Sequence, residues 1–331
     1  MTSNFKVFTE VIFHKCAMRT VGLIHAQNGK VEIHALSSQF TLQTIFEVVC
    51  GVDLQSIDEE LGLKFIESMD FHPIRTIFKP YFKYFWWCMP SEYRLKRESR
   101  KMLNLVDGIL KERLRESEEQ IAKRLDILSM LIKKARQLGK EGKTILDIPT
   151  LRSVVTATVF AGRDTSSSVI LYTFYALAQY PKQQTKILDE LKPLSKTALT
   201  YDDVKNLTYL DAFVWETIRL YPTTPSTVKQ AAEDDVFPDG TFVPAKTEIL
   251  VSSYYMERYN AKLWGDDLLV FRPERWLEMK IRPTPYEFPL FQGGSRMCPG
   301  RNMALLEAKL LVAIMLPKFH VAAQEGYQVK D

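Results

Sequence analysis

The stretch FQGGSRMCPG, residues 291–300, sets Cys298 between Gly293, Gly294 and Gly300. A cysteine that only packs behaves as a small hydrophobe and needs no glycines around it. Glycine costs chain entropy, so three of them mark backbone that bends tightly or comes close to something. A thiolate is a soft metal ligand, and one thiolate is enough to hold a haem iron axially and push electron density onto it. Such a sulfur needs N–H donors around it, which a glycine loop opening into a helix provides. Arg296 is a candidate bidentate partner for a haem propionate, and Phe291 a candidate cover for the sulfur. A buried cysteine after a glycine loop remains the plain alternative. A nucleophilic cysteine needs a histidine base, and none of His14, His25, His34, His72 or His320 stands in such a context.

Two further groups carry possible chemistry. AGRDTSSS, residues 161–168, puts Gly162, Asp164 and Thr165 inside a long apolar run. The Thr165 hydroxyl can bond back to the carbonyl one turn earlier and bend the helix. A local widening there would leave a notch for a small molecule such as dioxygen. Asp164 and Thr165 then form an acid–alcohol pair fit to relay protons. The alternative is a packed helix whose hydroxyls bond within it and whose Asp164 pairs near Arg163. The second group is ETIR, Glu216 and Arg219, which share a helix face at i and i+3. Glu112 and Arg115 repeat that spacing on a charged helix, so spacing alone is weak. Apolar neighbours predict that Glu216 is buried, where its pair needs further hydrogen bonds. Arg275 in RPERW is the candidate third member.

The elements that must position these groups are mostly helical. Short helices are expected over 1–70, among them an apolar one in 40–57 stopped near Gly51. Over 97–135 an apolar stripe of Met102, Leu105, Val106, Ile109, Leu110 and Leu114 reads as helix, followed by a polar loop at 136–143. A long helix is expected over 148–180, closed by Pro181, and another over 200–222. Beyond 222, β-branched residues and a Pro-Asp-Gly turn read as short strands. RPERW is placed in a loop, and 299–316 reads as an amphipathic helix. The fold class is mainly α, helix-rich with a small β portion.

The chain has 331 residues and a net charge of +4, too weak a balance to argue for nucleic acid, although a basic face suits an acidic partner. Cys16, Cys50, Cys88 and Cys298 are widely spaced, which writes neither a disulfide framework nor a zinc site. No run of about 20 apolar residues reads as a transmembrane helix. The aromatic segment 71–90, with Arg75, Lys79 and Lys83, is read as core or as a peripheral membrane contact.

Taken together, FQGGSRMCPG resembles the haem-binding loop of the cytochromes P450, F-x-x-G-x-R-x-C-x-G. AGRDTS resembles that family's oxygen-activation motif, and ETIR with RPERW its E-x-x-R and P-x-R-W pair, all in the family's order. The resemblance covers about 40–320. It implies the cytochrome P450 fold in a single domain over 1–331, with haem b between the long helix and the cysteine loop. Cys298 is then the iron ligand and Arg296 a propionate contact. Phe291, Gly294 and Gly300 belong to the loop, and Lys229 stands at a further basic propionate position. Asp164 and Thr165 deliver protons, while Glu216, Arg219 and Arg275 lock the core. EDDVFPDGTFVPAKTEI, SSYYMERYNAKLWGDD and FRPERWL are similar to the fatty-acid ω-hydroxylases of fungi and plants. That implies a lipophilic acyl substrate, NADPH-cytochrome P450 reductase as the source of electrons, and the cytosolic face of the endoplasmic reticulum membrane. Against the family pattern, the resemblance implies that the N-terminal anchor, the first strands and helices and the C-terminal hairpin are missing. A truncated, non-catalytic haem-binding or interaction fragment is the alternative. Lys246 stands where the family commonly has a turn glycine.

Overall fold

The computed structural model describes residues 2–57, 90–141, 147–194 and 198–324. It divides into two compact units, Met1–Ser167 and Ser168–Asp331. The first is all helical among the described residues. Helix α1 (Thr2–Val7) passes through a π-helical stretch, Phe8–Phe13, into α2 (His14–Ala26), and α3 (Ile33–Cys50) follows. Gly51 ends α3 in the left-handed region, at φ 66°, as the sequence led us to expect. After α4 (Leu54–Ile57), the segment 71–90 lies outside the described residues except for Pro90, which opens α5 (Pro90–Arg115).

The helix expected over 97–135 is broken twice. Ser117 and Gln120 form a reciprocal capping box at the start of α6 (Glu118–Lys123). Asp126 then caps α7 (Ile127–Lys140) by accepting from the Ser129 amide. Helix α7 also runs through Gly139, so the expected loop at 136–143 begins only after Lys140. The predicted stripe holds where it matters most: Met102, Val106, Ile109 and Leu110 are buried.

Helix α8 (Ile148–Gln179) is the long helix expected, started by Asp147 accepting from the Thr150 amide. It remains α-helical throughout, with no π-type widening at 161–168. The second unit continues with α9 (Pro181–Leu191), α10 (Tyr201–Lys205) and α11 (Thr208–Leu220), so the helix expected over 200–222 is two. Strands β1 (Thr227–Gln230) and β4 (Glu248–Val251) pair antiparallel, and between them β2 (Asp235–Val236) and β3 (Phe242–Val243) form the hairpin of the Pro-Asp-Gly turn. Helices α12 (Ser253–Tyr259), α13 (Ala261–Trp264) and α14 (Arg275–Glu278) precede the cysteine loop.

Helix α15 (Arg301–Met315) closes the unit, and every residue from Met303 to Leu316 is buried. The amphipathic helix expected over 299–316 is therefore apolar-packed on all sides. The two charges within that buried span lie inside: Lys309 donates to Asp211 Oδ1 at 3.2 Å, and Glu307 is fully buried.

Candidate functional site

The second unit is organised around the Glu216 carboxylate, which is fully buried on α11. It accepts five hydrogen bonds. Arg219 Nε and Nη2 each donate at 2.9 Å, and Arg275 Nε donates at 3.0 Å. The Arg272 amide and Trp276 Nε1 each donate at 2.9 Å. The remaining guanidinium donors reach main-chain oxygens, Arg219 Nη1 those of Glu257 and Leu268 and Arg275 those of Trp264, Asp267 and Val270, and Arg275 Nη1 also donates to Asp267 Oδ1 at 3.1 Å. A buried charge cluster is tolerable when each donor and acceptor is matched in this way. The structure thus brings Glu216, Arg219 and Arg275 together as the sequence predicts. Glu112 and Arg115, with the same spacing, are both exposed.

Sequence reasoning did not single out Trp276 and Trp215, although the indole of RPERW was available as a signal. Trp276 links the carboxylate to an aromatic cluster. Its ring lies 5.5 Å from Trp215, 5.3 Å from Trp264 and 5.3 Å from Phe288. Trp215 in turn meets Phe291 edge-on at 5.9 Å. Phe291 anchors the cysteine loop, and its carbonyl accepts from the Cys298 amide at 2.8 Å. Buried salt-bridged core and cysteine loop are therefore joined by packed rings, which add directional preference to area burial.

The loop itself is an unusual piece of backbone. Gln292 has φ 60° and ψ 171°, a region that side chains rarely enter. Gly294 has φ 66°. The close approach foreseen for the glycines is made by Tyr286: a Cβ on Gly293 would lie 3.0 Å from its ring, and one on Gly294 3.2 Å from its hydroxyl. A Cβ on Gly300 would sit 3.8 Å from Cys298 Sγ. Helix α15 begins at Arg301 with no side-chain cap on its first turn, leaving N–H donors three residues beyond the sulfur.

Cys298 is exposed, whereas Cys16 and Cys50 are buried. Burial pushes both of those thiols up to about 12, chiefly by desolvating the charged form. Among the described cysteines, then, Cys298 alone presents its sulfur outward from a loop with helical N–H groups beside it. That donor set fits a haem held through one thiolate. Arg296 is exposed in the same loop, two residues from the sulfur, and Lys229 is exposed on β1 opposite Ile249.

Asp164 and Thr165 belong to the first unit, on α8, and both are exposed there. Thr165 Oγ1 donates to Ala161 O at 2.7 Å, the back-bond expected, within an unwidened helix. Asp164 Oδ1 pairs with Arg163 Nη1 at 2.7 Å, so the ion pair of the packed-helix alternative is also present. Gly162 does not open a notch; its missing side chain leaves room for Ile45 of α3.

Glu257 on α12 was not anticipated. It is fully buried, and neither carboxylate oxygen has a partner of good hydrogen-bond geometry among the described residues. Burial raises its carboxyl to about 8, against the opposing pull of Arg219, the nearby Trp264 indole N–H and Arg258.

The sequence model of the cytochrome P450 family matches residues 2–331. Cytochrome P450 94A1 of Vicia sativa is 30% identical over 328 residues, covering 91% of this chain and 61% of the relative. CYP94D109 of Paris polyphylla is 38% identical over 53% of this chain and 37% of its own length. The alkane hydroxylase MAH1 of Arabidopsis thaliana is 36% identical over 54% of this chain and 36% of its own length. The chain thus spans about three fifths, or less, of the curated relatives it matches.

Proposed function

The chain belongs to the cytochrome P450 family, and from that premise we propose a haem-thiolate monooxygenase that inserts one atom of dioxygen into a C–H bond of a lipophilic chain. A fatty acid attacked at its ω end is the substrate that the sequence resemblance favours, and the name of the alkane hydroxylase relative points to similar unactivated C–H bonds. The observation that carries the reading is the exposed Cys298 in its glycine loop, tied through Phe291 and the tryptophans to the Glu216 node.

Cys298 Sγ would hold the haem iron, with Arg296 and Lys229 as propionate partners and Phe291, Gly294 and Gly300 shaping the loop. When bound, the haem supplies the centre at which dioxygen is activated. The rest falls to the chain. The Cys298 amide is held by Phe291 O, which fixes the direction of the sulfur. The Thr165 hydroxyl holds a proton, and the Asp164 carboxylate is the group that replaces it from outside. Glu216, Arg219 and Arg275 keep the loop's supports rigid. Electrons would come from NADPH through NADPH-cytochrome P450 reductase, to whose acidic surface a chain of net charge +4 is suited. We place the reaction at the cytosolic face of the endoplasmic reticulum membrane, with 71–90 as a peripheral contact. Among the described residues no helix is long and apolar enough to cross a membrane.

The test is the absorbance of the reduced protein under carbon monoxide. A strongly red-shifted Soret band, lost in Cys298→Ala, is expected, with NADPH- and reductase-dependent hydroxylation of saturated fatty acids. A Soret band typical of a neutral or histidine ligand, or no haem band, overturns the reading.

A further inference from the structure

Inside the first unit, α3 and the 162–167 stretch of α8 meet along a short, narrow seam. Ile45 lies so close to α8 that a Cβ added to Gly162 would stand 2.6 Å from its Cδ1 and 2.7 Å from its Cγ1. One turn earlier on α3, Thr41 Oγ1 reaches Arg163 O at 3.0 Å, sharing its single proton with Ser37 O at 3.0 Å and Ser38 O at 3.3 Å. Ser37 Oγ and Ser38 Oγ both lie 3.0 Å from Ser167 Oγ. Residues 37, 41 and 45 are spaced by four, so they form one stripe of α3. Residues 163 and 167 form the matching stripe of α8, with Gly162 beside it. All of the side chains in the seam are buried.

Asp164 and Thr165 are exposed on the other side of the same helix turn. Successive residues turn by about 100° around a helix, so whatever fixes 162, 163 and 167 also fixes the direction in which 164 and 165 point. The contacts act differently. Ile45 against bare Gly162 sets how near the two axes come. The hydroxyl bonds of Thr41 and of Ser37, Ser38 and Ser167 resist rotation and sliding. Ile45 is β-branched and buried, so it has little room to turn aside.

We infer that Ile45 and Thr41 are positioning residues for the Asp164–Thr165 pair, and that Gly162 is needed chiefly so that α8 can seat against Ile45. What the pair does once positioned rests on the monooxygenase reading above; the seam itself does not. Gly162→Ala should lift α8 away from α3, and Ile45→Ala in the same chain should let it return, because Cγ1 and Cδ1 are the atoms in the way. Thr41→Val keeps the shape and removes the hydroxyl, and Thr41→Ser restores it.

The deciding measurement is amide hydrogen exchange over residues 160–167 in the full chain. Gly162→Ala should raise it at least about tenfold, and the Gly162→Ala/Ile45→Ala double variant should fall back to within about threefold of Ile45→Ala alone. Thr41→Val should raise it about threefold, with Thr41→Ser near wild type. Thr20→Val is the control: Thr20 is buried and, among the described residues, its hydroxyl bonds within α2, to Cys16 O, so it should leave 160–167 unchanged. In parallel, with lauric acid, NADPH and reductase, Gly162→Ala and Thr41→Val should divert NADPH from product to hydrogen peroxide. Additive effects of Gly162→Ala and Ile45→Ala, with unchanged exchange in Thr41→Val, would overturn the inference. Should Gly162→Ala not fold, the Thr41 pair decides it alone. A wild type that hydroxylates nothing would count against the monooxygenase reading, while the exchange cycle would still uphold or overturn the seam.

Discussion

The Glu216 node and the Cys298 loop lie in one unit and are joined by a chain of packed rings, yet they are built on opposite terms. The node is buried, and the carboxylate at its centre accepts five hydrogen bonds. The loop is open, holds Gln292 and Gly294 at positive φ, and leaves Arg296, Met297 and Cys298 exposed. A region that accounts for its own polar groups serves stability. A region that carries backbone strain and presents a soft sulfur outward is shaped for something that is not protein. Both can share one unit because Trp215 and Trp276 pass rigidity from the first to the second without burying the sulfur.

The largest effect should come from breaking that contrast at the node. Glu216→Ala leaves Arg219 buried without its carboxylate and Arg275 with only the half-exposed Asp267, and stability in urea or guanidinium should fall by about 3–5 kcal/mol. Cys298→Ala removes an exposed side chain and should change stability by less than about 0.5 kcal/mol while abolishing thiolate ligation. Glu112→Gln, at the exposed copy of the same spacing, should be as mild as Cys298→Ala. If Glu216→Ala were equally mild, the node would not be the support described.

This contrast also marks how far the sequence could be read. The bracket around Cys298, the buried character of Glu216 and the stop at Gly51 follow from local composition, because glycines and apolar neighbours announce themselves. The breaks between α5, α6 and α7 were within reach: Ser117 with Gln120 is a capping box written in four residues. The role of Gly162 was not. A glycine in a helix reads as a defect until Ile45, more than a hundred residues away, is set against it. Nor could the burial of Glu307 and Lys309 be seen from α15 alone. Lys309 is matched by Asp211 of α11, and pairing across helices leaves no mark in either sequence.

An effect of comparable size, spread over several pH units, sits at the edge of the node. The Glu257 carboxyl, ordinarily at 4.5, is raised to about 8 by burial, despite Arg219 and Arg258. The folded state therefore keeps a proton that the unfolded chain gives up above its own lower pKa. Wild-type stability is fullest in acid and falls by up to about 1.4 kcal/mol per pH unit between the two values, then levels above pH 8. Glu257→Gln keeps the shape without the proton. It should unfold like wild type at low pH, gain on it as the pH rises, and hold a constant lead once Glu257 has ionised. Parallel stability curves from acid to alkali would mean that Glu257 is ionised in the fold after all, matched by the arginines as Glu216 is.

A smaller effect tests the loop. Gly294→Ala places a Cβ at φ 66° and 3.2 Å from the Tyr286 hydroxyl, at a cost of about 1–2 kcal/mol. The thiolate Soret band should weaken with it, since the next residues lead to the sulfur. Stability loss with an intact band would assign the glycine to folding alone.

The smallest effects come from relieving strain instead of adding it. Gln292 and Lys246 both hold positive φ, 60° and 67°, a conformation that suits glycine and costs other residues about 1–2 kcal/mol. Glycine returns part of that gain as chain entropy, so Gln292→Gly and Lys246→Gly should each stabilise by about 0.5–1 kcal/mol. Lys246 is exposed in a turn where its amide donates to Ala231 O at 2.8 Å, and none of the described residues pairs with its ammonium. Lys246→Ala keeps the strained backbone and should gain nothing, which separates relief of strain from loss of a charge. Gln292 stands between Phe291, which holds the Cys298 amide, and the glycines under Tyr286. If its strain serves the sulfur, Gln292→Gly should raise the melting temperature and lower thiolate retention together, whereas Lys246→Gly should raise the melting temperature alone. Identical behaviour of the two variants would show that the loop's strain is incidental, and the contrast with the node would then rest on exposure only.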